Sequence, residues 1–218
     1  AISGLMLATF VGIHLLNVPL AAFPGAYDAY QRVLRQLYQS PFFEIPVIFL
    51  PLGVHLAAGI RAILGHKTRA PARTWPARLH RWSAWYLLAS VVGHAIATRA
   101  PSVFFGIWLE SLGLAFTLRW LPYFFWPYYI GLGLAGVAHL GYGLPRALAV
   151  ARRRADRSAA SRLLAVGLAI AAIAIVLGVV GIGGLLYEIG DPYATDYADL
   201  YRSIDDSPFV PDVPDRGR

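Results

Sequence analysis

Apolar blocks of about 20 residues constrain this chain more than any other feature of its sequence. A helix needs about 20 apolar residues to cross the hydrocarbon core of a bilayer, so each block predicts a transmembrane helix. Hydrophobic residues make up 57% of the 218 residues and charged residues 14%. We therefore predict an all-α integral membrane protein with five transmembrane helices. The blocks cover residues 3–22, 42–65, 80–99, 123–149 and 161–187.

Basic residues are concentrated around two of the segments that connect these blocks. The first group is Arg61, Lys67, Arg69, Arg73, Arg78 and Arg81, and the second is Arg146, Arg152, Arg153, Arg154, Arg157 and Arg162. Because short cytoplasmic loops are enriched in Lys and Arg, both segments are predicted to face the cytoplasm or its mitochondrial equivalent. The net charge of +7 therefore reports topology and does not indicate a nucleic-acid site.

This topology puts the N-terminus inside and the C-terminus outside a bacterial cytoplasmic membrane or a mitochondrial inner membrane. The chain starts within its first apolar block and without an initiator methionine, so we expect a few residues to precede it. On the outer side, residues 100–122 are rich in aromatics, which suits a short amphipathic piece in the interface.

The last 31 residues differ from the rest in composition. Residues 1–187 form the predicted transmembrane domain, and residues 188–218 an acidic, proline-containing extramembrane tail, which we expect to be weakly ordered alone. Its acidic residues are Glu188, Asp191, Asp196, Asp199, Asp205, Asp206, Asp212 and Asp215. The chain has no cysteine, so it cannot form disulfides or hold an iron–sulfur cluster through thiolates. Any such cluster must lie on a partner.

One histidine lies within each of the first four blocks, at His14, His55, His94 and His139, and a further histidine, His80, is the first residue of the third block. Leaving a polar group unpaired in hydrocarbon costs about 2 kcal/mol or more, so each imidazole requires a partner. The sequence contexts also repeat. A serine precedes the first and third histidines by eleven residues, and a glycine follows the second and fourth by four residues.

The depth of each histidine follows from the distance to the cytoplasmic end of its helix. At 1.5 Å per residue, His14 and His94 lie about 16 Å from that end, and His55 and His139 about 9 to 10 Å from it. Helices one and three of an up-and-down four-helix bundle are diagonal neighbours, as are helices two and four. We therefore pair His14 with His94, and His55 with His139.

Two pairs at different depths favour two bis-histidine b-type haems over zinc, because zinc prefers four ligands at one point. With both axial positions filled, a haem iron has no open site for oxygen or substrate, which suits electron transfer. The alternative is that the histidines are hydrogen-bonded packing residues or a proton relay.

Other polar residues of the spans are candidates for secondary roles. Five lie near the predicted cytoplasmic ends and could bond haem propionates or serve as ordinary interfacial anchors; they are Ser3, Arg61, His80, Arg81 and Ser83. Glu44 lies near the outer end of the second span. Its carboxylate could exchange the protons of quinone chemistry, or it could be a solvated acid at a helix start.

The stretch FFEIPVIFLPLGVHLAAGI, residues 42–60, together with the four histidines and five spans, resembles the single-chain dihaem cytochrome b anchor of succinate:quinone oxidoreductases. That family includes succinate dehydrogenases and fumarate reductases. The resemblance covers about residues 1–187 and is strongest around Glu44, Pro51, His55 and Gly59. It does not extend to the acidic tail.

The resemblance implies a distal haem held by His14 and His94, and a proximal haem held by His55 and His139. It also implies partner flavoprotein and iron–sulfur subunits, with electrons passing through this chain to or from ubiquinone or menaquinone. Further subunits could contact the tail. The alternatives are a haem-free structural or assembly anchor of a respiratory complex, or a dihaem anchor of another quinone-linked oxidoreductase, such as a cytochrome b561-like, hydrogenase or formate dehydrogenase subunit. The sequence leaves the direction of catalysis open.

Overall fold

The computed structural model describes residues 2–65, 74–152, 160–204 and 213, and within them the chain is helical with no strand. The all-α class is therefore confirmed for the described part of the chain. The helices are α1 (Ile2–Leu20), α2 (Ala26–Tyr38), α3 (Pro41–Glu44), α4 (Leu50–Leu64), α5 (Trp75–Phe105), α6 (Ser111–Trp120), α7 (Pro122–Arg152), α8 (Ala160–Ile182) and α9 (Asp196–Ser203).

Four helical segments are long and apolar enough to cross a membrane. They are Ile2–Leu20, Pro41–Ala62, Trp75–Phe105 and Leu163–Ile182, and they correspond to the predicted first, second, third and fifth spans. Helix α7 covers the predicted fourth span and is 31 residues long, but its tyrosines and its internal prolines Pro127 and Pro145 make it less apolar. The chain is thus a multi-pass membrane protein, and the crossing by α7 stays a prediction.

The second span is interrupted, although the sequence predicted a regular helix over residues 42–65. A π-helical turn, Ile45–Phe49, joins α3 to α4. Pro46 and Pro51 lie within and just after this turn and have no N–H, so neither can donate a backbone hydrogen bond. The missing donors explain why the α-helical register is lost at this point.

Helix packing places α1 and α7 at the centre of the bundle. Helix α1 packs against α2, α4, α7 and α8, while α7 packs against α1, α5, α6 and α8. Helix α8 approaches α1 without intervening side chains, since Gly178 and Gly181 lie directly against the backbone carbonyls of Val18 and Ala21. The fifth predicted span therefore supports the back of α1 and α7.

The expectations for the outer side are partly wrong. Residues 100–122 contain α6, but its residues from Gly113 to Leu118 are buried and do not form an exposed amphipathic piece. They are covered by α9 of the tail, whose Tyr197 is 4% exposed. Helix α9 is capped by the Thr195 side chain, which accepts a hydrogen bond from the Ala198 N–H. The first part of the tail is therefore folded onto the bundle.

Many of the charged residues used for topology lie outside the described residues. These are Lys67, Arg69, Arg73, Arg153, Arg154 and Arg157 in the basic segments, and Asp205, Asp206, Asp212 and Asp215 in the tail. The orientation of the chain in the membrane accordingly stays a prediction.

Candidate functional site

The structure brings the four membrane histidines together in the two predicted pairs. The ring centroids of His14 on α1 and His94 on α5 are 6.2 Å apart, with 65° between the ring planes. The ring centroids of His55 on α4 and His139 on α7 are also 6.2 Å apart, with 85° between the planes. The first pair joins α1 to α5 and the second joins α4 to α7, which are the predicted helix pairs one and three, and two and four.

A centroid separation of 6.2 Å with a steep interplanar angle is typical of an edge-to-face ring contact, and it also matches the spacing that an intervening metal ion would need. A metal–imidazole bond of about 2.0 Å and a centroid-to-nitrogen distance of about 1.1 Å put two trans imidazole centroids about 6.2 Å apart. In each pair one buried ring nitrogen, Nδ1 of His14 or Nδ1 of His139, has no hydrogen-bond partner. Each pair therefore has a spacing that accommodates a metal ion and one buried ring nitrogen that lacks a hydrogen-bond partner.

The donor set favours an iron that already has equatorial ligands. Among the described residues, no group of three or more His, Cys, Asp or Glu side chains converges on one point. A protein-only zinc site usually takes three or four such ligands. Two facing imidazoles suffice for haem iron, because the porphyrin supplies the other four nitrogens. The residues present thus fit haem better than a free metal ion.

Each histidine pair has one ring stacked on a neighbouring aromatic ring. Phe10 lies over His14 at 5.5 Å with an interplanar angle of 16°, and the edge of Tyr38 meets Phe10. In the other pair, His80 of α5 lies over His139 at 4.5 Å with an angle of 14°. These contacts fix the faces of two of the four imidazoles.

The five predicted propionate partners have different surroundings. Ser3 lines an apolar groove of about 540 Å³ between α1 and the interrupted second span. The Ser83 hydroxyl donates a 3.0 Å hydrogen bond to the His80 carbonyl. Arg61 and Arg81 are exposed, whereas His80 packs on His139. The structure therefore groups His80 and Ser83 with the His55–His139 pair.

Glu44 does not have the solvated environment that one interpretation of the sequence predicted. It is 7% exposed, and Arg99 Nε donates to both of its carboxylate oxygens, at 2.8 and 2.9 Å. Arg99 also donates to the Ser102 hydroxyl at 2.6 Å. The cause is that Arg99, the last residue of the predicted third span, reaches over the start of the second span and places its guanidinium on Glu44.

Sequence reasoning did not assign Arg99 a role, although a signal was present. An arginine at the end of an apolar block requires a carboxylate at the same depth. Glu44, near the outer end of the adjacent block, met that requirement.

A second buried polar contact lies close to His14. The Asn17 amide, one helical turn further along α1, donates to Gln31 Oε1 of α2 at 2.8 Å. Asn17 is 2% exposed, and its own Oδ1 has no partner. This contact fixes α2 over the C-terminal end of α1.

Burial raises the pKa of Tyr38, at the end of α2, so its hydroxyl stays protonated.

Comparison with known proteins gives little further information. No protein-family model matches the chain, and no solved structure matches it. Undecaprenyl phosphate-alpha-4-amino-4-deoxy-L-arabinose arabinosyl transferases from Pseudomonas aeruginosa strains LESB58 and UCBPP-PA14 are each 30% identical to it over 105 residues. The match covers 46% of this chain and 18% of the length of those relatives. It does not assign the chain to a family.

Proposed function

We propose that this chain is a dihaem cytochrome b that anchors a succinate dehydrogenase or fumarate reductase complex in the membrane. In this role it passes electrons between an iron–sulfur subunit and quinone. The observation that carries the proposal is the pair of facing imidazoles, present twice, with ring centroids 6.2 Å apart each time.

His14 and His94 would hold the distal haem, and His55 and His139 the proximal haem. Bound haem supplies reversible one-electron transfer, and two imidazole ligands leave no open coordination position for oxygen. Phe10 and His80 hold the faces of two ligands by stacking.

Polar groups at the ends of the bundle would serve the two haems and the quinone. Ser3, Arg61, His80, Arg81 and Ser83 are proposed to face the proximal propionates. Glu44 is proposed to lie beside the quinone, with Arg99 holding its carboxylate in place.

The partners follow from the resemblance and from the charge pattern. The iron–sulfur and flavoprotein subunits would dock on the basic cytoplasmic side, and the folded tail would face the other side. A haem-free structural anchor is the alternative, in which the four half-buried histidines only pack the helices against one another. The transferase activity of the similar Pseudomonas proteins is not proposed, because the chain matches 18% of their length.

An absorption spectrum of the purified chain in detergent tests the proposal against that alternative. We expect a dithionite-reduced minus oxidised spectrum of b type, a pyridine-haemochrome assay giving two haems per chain, and reduction of the haems by a soluble quinol. A preparation that folds and contains no haem would overturn the proposal in favour of a structural anchor. Two haems that no quinol reduces would leave the cytochrome and reject quinone as its partner.

A further inference from the structure

His80 makes the closest ring contact that the described residues contain. It belongs to α5, and its ring lies 4.5 Å from that of His139 on α7, nearly parallel at 14°. His139 faces His55 with its ring at 85° to that of His55. His80 therefore covers one face of a proposed axial ligand whose ring plane is nearly perpendicular to that of the partner imidazole.

The sequence around this contact leaves room for it. A Cβ built on Gly143, one turn after His139 on α7, would lie 3.2 Å from His80 Nε2. That distance is tighter than an ordinary contact, so any side chain at position 143 would push the His80 ring. On the other side, Ser83 donates to the His80 carbonyl at 3.0 Å, which ties this turn of α5 together. Glycine at position 143 thus permits the stack.

We propose that His80 is a positioning residue that fixes the ring plane of His139 and keeps the two imidazoles of that pair close to perpendicular. This inference rests on the proposed function, because the planes matter only when both rings coordinate one iron. Stacking restricts rotation of the His139 ring about the bond to the metal. Ligand orientation is one of the ways in which a protein tunes a haem iron.

The relative orientation of two axial imidazoles can be measured directly. Perpendicular planes make two of the iron d orbitals nearly equal in energy, and the electron paramagnetic resonance of the oxidised haem then becomes strongly anisotropic. Parallel planes separate the orbitals and reduce the anisotropy. The His14–His94 planes are at 65°, so the two haems should give separate low-field resonances. The His55–His139 haem should give the more extreme one.

The test is the low-temperature resonance spectrum of the oxidised full-length chain with His80→Ala, His80→Phe and Gly143→Ala variants. The haem count of each variant is measured first. We expect Gly143→Ala, which keeps the His80 side chain, to retain both haems. In Gly143→Ala and in the haem-loaded fraction of His80→Ala, the more extreme resonance should move or broaden toward lower anisotropy. His80→Phe, which retains a flat ring, should preserve that resonance, and the other haem is an internal control in all three.

The outcomes separate this inference from the proposed function. If the parent binds no haem, the proposed function fails and this inference fails with it. If the parent has two haems and His80→Ala and Gly143→Ala leave the extreme resonance unchanged, only the inference is overturned. A shift of similar size in His80→Phe would also overturn it, because the ring nitrogens and not the stacked plane would then be responsible.

Discussion

Arg99 and Glu44 form an ion pair that is shielded from water, with side chains 17% and 9% exposed. Charges in such a setting gain from their mutual attraction but lose their hydration, so the pair stabilises the fold less than its geometry suggests. Removing one partner leaves the other charge buried and unpaired, which is the costly situation. The contact is also long in sequence, since it joins the start of the second span to the end of the third.

Glu44→Ala or Arg99→Ala alone should therefore destabilise the protein by about 3–5 kcal/mol. The double variant Glu44→Met with Arg99→Leu should lose less than either single variant, because no charge is then left buried. Thermal unfolding of the purified chain in detergent measures the difference.

The matched control is Glu110→Gln, which breaks the Arg35–Glu110 pair, where the Glu110 side chain is 49% exposed. Its cost should be at most about 1 kcal/mol. A double variant that is less stable than both single variants would contradict this account of the buried pair.

The sequence identified individual site residues best where a pattern repeated. The four histidines occur once per block in repeated contexts, so their pairing could be predicted from helix direction and depth alone. Arg99 and Asn17 belong to no repeat. The position of Arg99 at the end of an apolar block indicates a carboxylate such as Glu44, whereas nothing in the sequence near Asn17 identifies Gln31 as its partner. The stack of His80 on His139 was also out of reach, because it depends on side-chain directions from two separate helices.

Helix α8 approaches α1 through glycine, and this contact is a property of the two elements together. Gly178 and Gly181 lie on one face of α8 against the carbonyls of Val18 and Ala21. Small residues at such positions let two membrane helices approach with their backbones in contact.

Gly178→Ala should destabilise the α1–α8 contact, because a Cβ at this position would overlap the Val18 carbonyl oxygen. The helices would have to separate, which lowers the midpoint of thermal unfolding in detergent. Gly167→Ala in the same helix is the matched control, since a Cβ there meets nothing within 4 Å. The control should be neutral or stabilising by up to about 1 kcal/mol. Equal midpoints for the two variants would contradict the close packing.

The contact between α6 and α9 was not predicted, because the acidic composition of the tail favoured disorder. Aromatic residues changed the outcome. Tyr197 of α9 packs on Phe116 of α6 and on Tyr201 of its own helix. An acidic segment can fold when it carries enough aromatic area to bury, and α9 does so against an α6 face that would otherwise be exposed.

Burial, and secondarily the neighbouring Tyr201, raises the pKa of Tyr197 above its usual value of 10.0. The neutral hydroxyl is favoured in the folded state, so this group contributes stability below pH about 10 that is lost as the pH rises further. Between pH about 9 and about 11.5 the parent should lose more thermal stability than Tyr197→Phe. Tyr123→Phe, at a ring that is 96% exposed, should behave as the parent does. Identical pH profiles for all three would show that Tyr197 ionisation does not limit the stability.

For the whole molecule, the sequence predicted the helical class and four of the membrane spans, because apolar length is a strong signal. It did not predict the packing of α9 on α6, since that packing depends on contacts between distant segments. The π-helical turn of the second span was also missed, although its local cause, Pro46 and Pro51, is visible in the sequence. The membrane orientation depends on positive charges in and around the loops, and half of the twelve basic residues used for it lie outside the described residues. Orientation therefore needs a separate test.

The chain has no cysteine, so single cysteines can report the orientation directly. Arg78→Cys, at the start of α5, should react with a membrane-impermeant maleimide only from the cytoplasmic side. Asp196→Cys, at the start of α9, should react only from the outer side. Both positions are exposed. Labelling of both from the same side would contradict the predicted topology.

Each histidine pair is proposed to hold one haem. The number of haems bound by variants that lack two histidines measures whether this pairing is correct. His14→Ala with His94→Ala should retain one haem per chain, and so should His55→Ala with His139→Ala. His14→Ala with His55→Ala removes one ligand from each pair and should retain no haem. The control His66→Ala, which lies in neither pair, should retain two haems. One haem remaining in the cross-pair variant, or none in either within-pair variant, would contradict the proposed pairing.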